Sequence, residues 1–384
     1  MSKHDIEMLF IAGFGSSMIF GTFIGSVADK YGRRLNVLLY AVLYSAACLT
    51  KHFPNFWILM IGRLLGGIST SILFSAFECW LVFEHNARGF GEDLLSTVFS
   101  HAVLGNSVVA ISAGVVAQFA ADSFGYVAPF DVSICVLVIM FVVVALSWSE
   151  NYGNAQSSLY KSFADGWHAI VSDRRILLLG IAQSLFEGCM YVFVLEWTPC
   201  LSHVPGLKTG AASDGVSTTS ASAEQRADVP HGYVFSAFMV AVMIGSSLFK
   251  LFNRFTRPES FMRYVLLAAA VTLCIPVIFL QSEMGQSIMF GAFVVFEICV
   301  GLFWPSIGFM RGIYIPEAAR ATTMNYFRIP LNLVVVLILT QDFPITMIFS
   351  FCTCLMLVAA LCQQLLYMCV ASDSSATPNL NKVD

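Results

Sequence analysis

The chain has 384 residues, of which 58% are hydrophobic and 11% charged, with a formal net charge of −4 and a mean hydropathy of +0.78. That is far more apolar than the core of a water-soluble chain of this length requires, which excludes water as its solvent. The basic residues form no run or tail that would neutralise a phosphate backbone, which excludes nucleic acid as a partner.

A helix needs roughly 20 apolar residues to cross the hydrocarbon, because every backbone N–H and C=O must be satisfied within the segment. On that rule the sequence predicts about eleven spans, at 6–28, 35–51, 55–82, 94–122, 127–148, 176–200, 232–253, 262–281, 286–310, 322–341 and 344–369. The first apolar run continues too long for the core of a secretory leader, so no cleavable signal is expected. Lys30, Arg33 and Arg34 follow the first span, Arg88 the third, Lys161, Arg174 and Arg175 the fifth, Lys250, Arg254 and Arg257 the seventh, and Arg311 and Arg320 the ninth. The alternate loops carry only Lys51, then Lys208 and Arg226. The bias predicts that the odd loops and the C-terminus are cytoplasmic and that the N-terminus faces outside.

Two polar stretches divide the chain. Residues 151–175 contain an amphipathic piece around Ser162 to Val171 and read as a cytoplasmic linker between an N-terminal bundle of five spans, 1–150, and a C-terminal bundle of six, 176–370. Residues 202–230, rich in Ala, Ser, Thr, Asp and Gly, read as a disordered external loop, and 371–384 as a cytoplasmic tail. A faint repeat links the halves: Gly25-Ser-Val-Ala-Asp-Lys-Tyr-Gly-Arg-Arg34 after the first span and Gly245-Ser-Ser-Leu-Phe-Lys-Leu-Phe-Asn-Arg254 after the seventh share Gly, Ser, Lys and the last Arg. That offset fits a duplicated six-helix unit lacking its first helix.

Ionisable side chains at membrane depth are costly, so each is a functional candidate. Arg63 and Arg328 are the candidates for holding an anion, since a guanidinium fork grips two oxygens at once. Pro330 removes a helical hydrogen bond close to Arg328. Asn106 and Asn325 are candidate neutral donors, and Glu78, Glu187 and Glu297 are candidate coupling groups or counter-charges, with Glu78 favoured as a counter-charge. In Gly25-x3-Asp29-x2-Gly32-Arg33-Arg34 the glycines permit close helix approach and a tight turn, and Asp29 accepts from an Arg or a helix N-terminus, which makes a gating latch. The eleven cysteines, mostly within apolar runs, read as packing residues, and the seven scattered histidines provide no metal-ligand spacing. With no phosphate-cradling loop and no nucleophile elbow, no enzymatic activity, metal or cofactor is expected.

That glycine-aspartate-arginine motif resembles the loop signature of the major facilitator superfamily, and Gly62-Arg63-Leu-Leu-Gly-Gly67 resembles the Arg-Gly pattern of its fourth helix. Leu73-Phe-Ser-Ala-Phe-Glu78-x-Trp80 with Glu84-His85, Ser172-Asp-Arg-Arg-x-Leu-Leu-Leu-Gly180, Phe193-Val-x-x-Trp-Thr-Pro199, Gly301-Leu-Phe-x-Pro-Ser306, Ile315-Pro-Glu317 and Asn325-Tyr-Phe-Arg-Ile-Pro-Leu331 are similar to the molybdate-anion transporter family within it, over about residues 10 to 370. The resemblance implies an all-α membrane protein of two helical bundles that takes up molybdate, a tetrahedral oxyanion, by alternating access, with a proton as candidate coupling ion. Membrane lipid would surround it, and the plasma membrane is its expected location. Family members begin with at least one further helix, so by the resemblance the first of the usual twelve is expected to be missing from this sequence. The competing readings are a transporter of another solute, such as sulfate, an organic anion or a sugar, and a non-transporting nutrient sensor on the same fold.

Overall fold

A computed structural model describes residues 3–153, 159–202, 231–282, 284–341 and 343–376. Among them the regular structure is helical: α1 (Lys3–Tyr31), α2 (Arg33–Leu49), α3 (Phe56–Leu73), α4 (Ala76–Ala87), α5 (Glu92–Phe124), α6 (Ala128–Ser147), α7 (Leu159–Ser172), α8 (Arg174–Leu201), α9 (His231–Asn253), α10 (Pro258–Phe279), α11 (Gly285–Tyr314), α12 (Arg320–Leu339) and α13 (Ile345–Ala376), with short 3-10 turns at Thr50–His52 and Glu317–Ala319. Nine spans pass on length and hydropathy, one of them Phe56–Ala87, and a tenth when Met8–Gly21 and Phe23–Tyr31, bent by 46°, count as one. The eleventh expected span is α2, whose 17 residues extend about 25 Å at 1.5 Å per residue.

Three features depart from the sequence expectation or fall beyond the structure. The third span is broken: α3 ends at Leu73, Phe74 and Ser75 leave the helix, and α4 resumes at Ala76. Helix α13 runs on to Ala376, so the first residues of the expected tail are helical. The expected disordered loop 202–230 lies outside the described residues from 203 onward, as does the tail from 377.

Large apolar side chains point outward along the spans, among them Val109, Val115 and Phe119 of α5 and Ile139 of α6, each more than 60% exposed. A face of that kind is tolerated only against lipid. The largest apolar core lies among α8–α13, where Phe186 stacks on Phe303 at 3.8 Å and Phe193 meets Phe293 and Phe296. A smaller one joins Val37 and Tyr40 of α2 to Ile72, Ala76, Leu137 and Val144. Helix α1 packs on both α3 and α12, and α5 packs on both α9 and α11. Small polar residues let α1 and α3 approach closely: Ser17 Oγ and Ser71 Oγ are 2.9 Å apart, and Ser16 Oγ donates to the Leu64 carbonyl at 2.6 Å. The amphipathic α7 lies across one end, against α1, α8 and α12, with Phe163 stacked on Phe23 and Tyr326 Oη donating to the Phe163 carbonyl at 3.1 Å.

Candidate functional site

The end of the bundle that bears α7 also holds the Asp29 motif. Gly32 turns the chain between α1 and α2 with φ of 116°, a conformation a side chain resists. A Cβ there would also strike the Glu150 carboxylate, which accepts from the Arg34 and Leu35 amides at 2.9 and 3.1 Å and so caps α2. Asp29 does the same for α12: Oδ2 accepts from the Thr322 amide and hydroxyl, both at 2.9 Å, and Oδ1 from the Ala321 amide at 3.3 Å. A carboxylate at a helix N-terminus meets unsatisfied N–H groups and the positive end of the dipole. Gly25 makes the approach possible, because a Cβ would lie 2.7 Å from the Ala321 carbonyl oxygen. Arg33, fully buried, donates to Asp29 Oδ1 at 3.2 Å, to the carbonyls of Cys79 and Glu317 at 3.1 and 2.9 Å, and to the Glu317 carboxylate, which also pairs with Arg320. Four elements, α1, α2, α4 and the start of α12, are thereby tied together and this end is sealed.

Toward the opposite end a cavity of about 360 Å³ opens between α1, α2, α3, α6, α8 and α12. Arg63 and Arg328 both line it, with Lys51, Ser17, Thr70, Asn332 and the rings of Phe10, Phe14, Tyr44, Phe74, Phe130 and Tyr191. No carboxylate is among its lining residues, and among the described residues neither arginine has an ion-pair partner. Arg63 sits 4.7 Å over the Phe10 ring and Arg328 4.7 Å over Phe74, at the break between α3 and α4. Arg328 makes a long hydrogen bond, 3.5 Å, to Ser17 Oγ, which Asn332 Nδ2 also approaches at 3.3 Å, and it lies in hydrogen-bonding contact with the Tyr191 hydroxyl. Arg63 Nε, Arg328 Nε and Arg328 Nη1 are buried without an acceptor. Buried guanidinium donors left open in this way are costly unless an acceptor enters the cavity.

A second cavity, about 550 Å³, lies on the other side of Phe74 and Trp304, between α4, α5, α8, α9 and α11. Its charges are Glu78, Glu297 and Arg311, with Asn106 beside them. Glu78 and Arg311 form a fork-to-fork pair, Arg311 Nε donating to Glu78 Oε1 at 2.8 Å and Nη2 to Oε2. Glu187, buried on α8, accepts from Gln183 at 2.8 Å and lies within electrostatic reach of both Arg328 and Arg311. Among the described residues no group of histidine, cysteine and carboxylate side chains is arranged to hold a metal.

Of the residues singled out in the sequence, the fold brings Arg63 and Arg328 together in one cavity, and places Glu78, Glu297 and Asn106 in the other. Asn325 lines neither: its Nδ2 donates to the Ala321 carbonyl at 2.9 Å beside Gly25. Sequence reasoning passed over Lys51, counted only as a loop charge, and Arg311, Glu150 and Glu317, whose partners are remote in the chain. The lone cation in an otherwise uncharged loop was the available signal for Lys51.

A family model described as sugar transporters with twelve transmembrane segments matches residues 1–212 and 215–303. The molybdate-anion transporter of Xenopus tropicalis is 32% identical over 387 residues, covering 96% of this chain and 79% of the relative, and that of Danio rerio is 30% identical over 366 residues, covering 86% and 70%. Among solved structures, a bacterial homologue of the iron transporter ferroportin superposes with a TM-score of 0.68 at 13% identity, over 97% of this chain and 91% of that one. The human organic anion transporter MFSD10 gives 0.63 at 12%, over 94% and 82%. At these identities the structural likenesses establish the fold alone.

Proposed function

We propose that this chain, which belongs to the molybdate-anion transporter family of the major facilitator superfamily and is a multi-pass membrane transporter, carries molybdate into the cell by alternating access. The observation that supports this reading is the cavity in which Arg63 and Arg328 present open donors while no carboxylate lines its wall, the buried Glu187 standing only within electrostatic reach of Arg328. A tetrahedral dianion supplies the missing acceptors on several sides at once, and a guanidinium fork matches two of its oxygens.

The end bearing Arg33, Arg34, Arg174, Arg175 and Arg320 is the cytoplasmic one by the bias of basic residues. With the Asp29 motif closing that end, the cationic cavity opens to the outside. Uptake then requires α1–α6 to rock against α8–α13, breaking the contacts of Asp29 and Arg33 as the outer side closes. Moving a dianion toward an inside-negative potential costs about 4.6 kcal/mol per 100 mV, twice the cost per elementary charge. One coupled proton halves this cost and two cancel it, with Glu187 and Glu297 the candidate carboxylates to receive them. The plasma membrane is where such uptake serves the cell.

The room in the cavity supports a second reading. A five-atom oxyanion fills only a fraction of about 360 Å³, and six aromatic rings surround it, which suits a larger organic anion. Molybdenum accumulation, measured by mass spectrometry of washed cells in a molybdate-uptake-deficient host, tests the choice. Accumulation that Arg63→Ala abolishes and excess sulfate suppresses supports the oxyanion. Suppression by an aromatic carboxylate but not by sulfate transfers the reading to organic anions.

A further inference from the structure

The cations of the outer cavity stand at successive depths. Lys51 lies in the 3-10 turn Thr50–His52 that joins α2 to α3, at the mouth. Arg63 is seven residues into α3 from Phe56, about 10 Å down its axis, and Arg328 is eleven residues from the end of α12 at Leu339, about 16 Å down, at 1.5 Å per residue. The three share one continuous cavity surface. Side chains of one sign set along a low-dielectric cleft focus the field along it and raise the local concentration of counter-ions.

Lys51 has no structural task that accounts for its charge. Among the described residues no carboxylate lies within ion-pair distance of it. The acid of its neighbourhood, Asp131 on α6, is engaged by His52 at 2.8 Å. The groups that act on the ammonium are Arg63 on α3 and the Cys48 thiol on α2, one turn back. Burial first, and repulsion from Arg63 second, hold Lys51 below the usual lysine range. An incoming dianion relieves both penalties, since it solvates the ammonium and screens it from Arg63.

We infer that Lys51 forms an outer oxyanion subsite, the first contact of the substrate on its way to Arg63 and Arg328. The inference rests on the reading of this cavity as the anion path. It gives Lys51 a share in capture rather than in the later rocking step, so its loss raises KM and leaves the maximal rate nearly intact.

The test is initial-rate uptake of radiolabelled molybdate across external pH 6.5 to 9.5, with surface-exposed protein quantified, for wild type, Lys51→Gln, Lys51→Arg and Arg63→Ala. Lys51→Gln is expected to raise KM about tenfold with the maximal rate within about twofold, and the difference shrinks as salt screens the mouth. Lys51→Arg is expected to keep the wild-type KM at neutral pH. It should hold that KM to a higher pH than wild type does, because a guanidinium keeps its charge beyond the point at which a lysine shifted downward by burial begins to lose its own. Molybdate stays a dianion throughout, and any pH response of a coupling group is common to both proteins. A KM in Lys51→Gln equal to wild type, or a Lys51→Arg curve that climbs with the wild-type curve, overturns the subsite while Arg63-dependent uptake leaves the cavity assignment standing. Absence of uptake in wild type itself overturns both.

Discussion

The two ends of this bundle treat the same residue type in opposite ways. At the sealed end Arg33 meets Asp29 and Glu317, Arg320 meets Glu317, and Arg175 meets Asp173. Deeper, Arg311 forms a two-pronged pair with Glu78. In the open cavity Arg63 and Arg328 face aromatic rings and unfilled space. A guanidinium paired directly with a fixed carboxylate has its charge balanced and holds helices in place, whereas one without such a pair is favoured when a mobile anion supplies the negative charge. Position in the sequence does not separate the two classes; the partner does.

The largest effects are expected where a buried pair is cut. Glu78→Ala leaves the Arg311 guanidinium, whose side chain is 5% exposed, without its counter-charge, at a cost of about 3–5 kcal/mol. Size-exclusion profiles in detergent should show little folded protein, and adding Arg311→Met should recover much of it. If Glu78→Ala instead folds like wild type and only loses uptake, the division between holding and transporting arginines fails.

The open cavity is expected to respond the other way. Arg328→Ala and Arg63→Ala remove charge-assisted hydrogen bonds to a bound anion, about 1.5–3 kcal/mol each, so uptake should fall by roughly ten- to a hundredfold. For Arg63→Ala thermal stability should hold or rise, because that substitution removes a half-buried charge on which no carboxylate acts. Melting temperature in detergent, measured beside uptake, is the discriminating pair of readouts.

This division explains what was legible in the sequence. The spans were legible because each helix satisfies its own backbone, so length and hydropathy suffice without knowledge of neighbours. Arg63 and Arg328 were legible as charges too deep in apolar runs to be incidental. The break at Phe74 and Ser75 was hidden, since no Pro or Gly marks it, and 55–82 reads as one apolar run. The pairing of Arg311 with Glu78 spans 233 positions and is fixed by tertiary packing, as are the capping of α12 by Asp29 and the placement of Asn325 away from the arginines. Spacing gave Asp29 a latch-like role but not its partner.

The seal itself can be probed through Cys79, fully buried at the site where its carbonyl receives Arg33. Asp29→Asn keeps the shape and removes the charge that faces the α12 N-terminus and Arg33, weakening the sealed state by about 1 kcal/mol. Alkylation of Cys79, followed by peptide mass mapping from the cytoplasmic side, should run several-fold faster than in wild type. Gly25→Val should exceed it, since its Cβ must push α1 from the Ala321 carbonyl. Unchanged labelling in both would mean that this end does not open during the cycle.

The smallest expected effect tests whether charges at the sealed end are structural even where they are weak. Asp173 caps α8: its Oδ1 accepts from the Arg175 amide at 2.8 Å, and its carboxylate takes the Arg175 side chain at 2.8 to 3.2 Å. Chiefly through that side chain, and despite some desolvation, the carboxyl is held below its ordinary 3.8. The ion pair is 29–40% exposed and contributes less than about 1 kcal/mol, so the cap, worth about 1 kcal/mol, carries most of the cost of Asp173→Ala. A depressed carboxyl stabilises above its unfolded value, and that stability disappears as pH falls through the folded one. Wild type should therefore lose its advantage over Asp173→Ala below about pH 4, read as convergence of the two melting temperatures. At neutral pH the variant should melt a few degrees lower while its KM for molybdate stays at the wild-type value, because α8 still brings Tyr191 to the cavity wall. A shifted KM would show that the ends are not separable and that pairing at one tunes the open cations at the other.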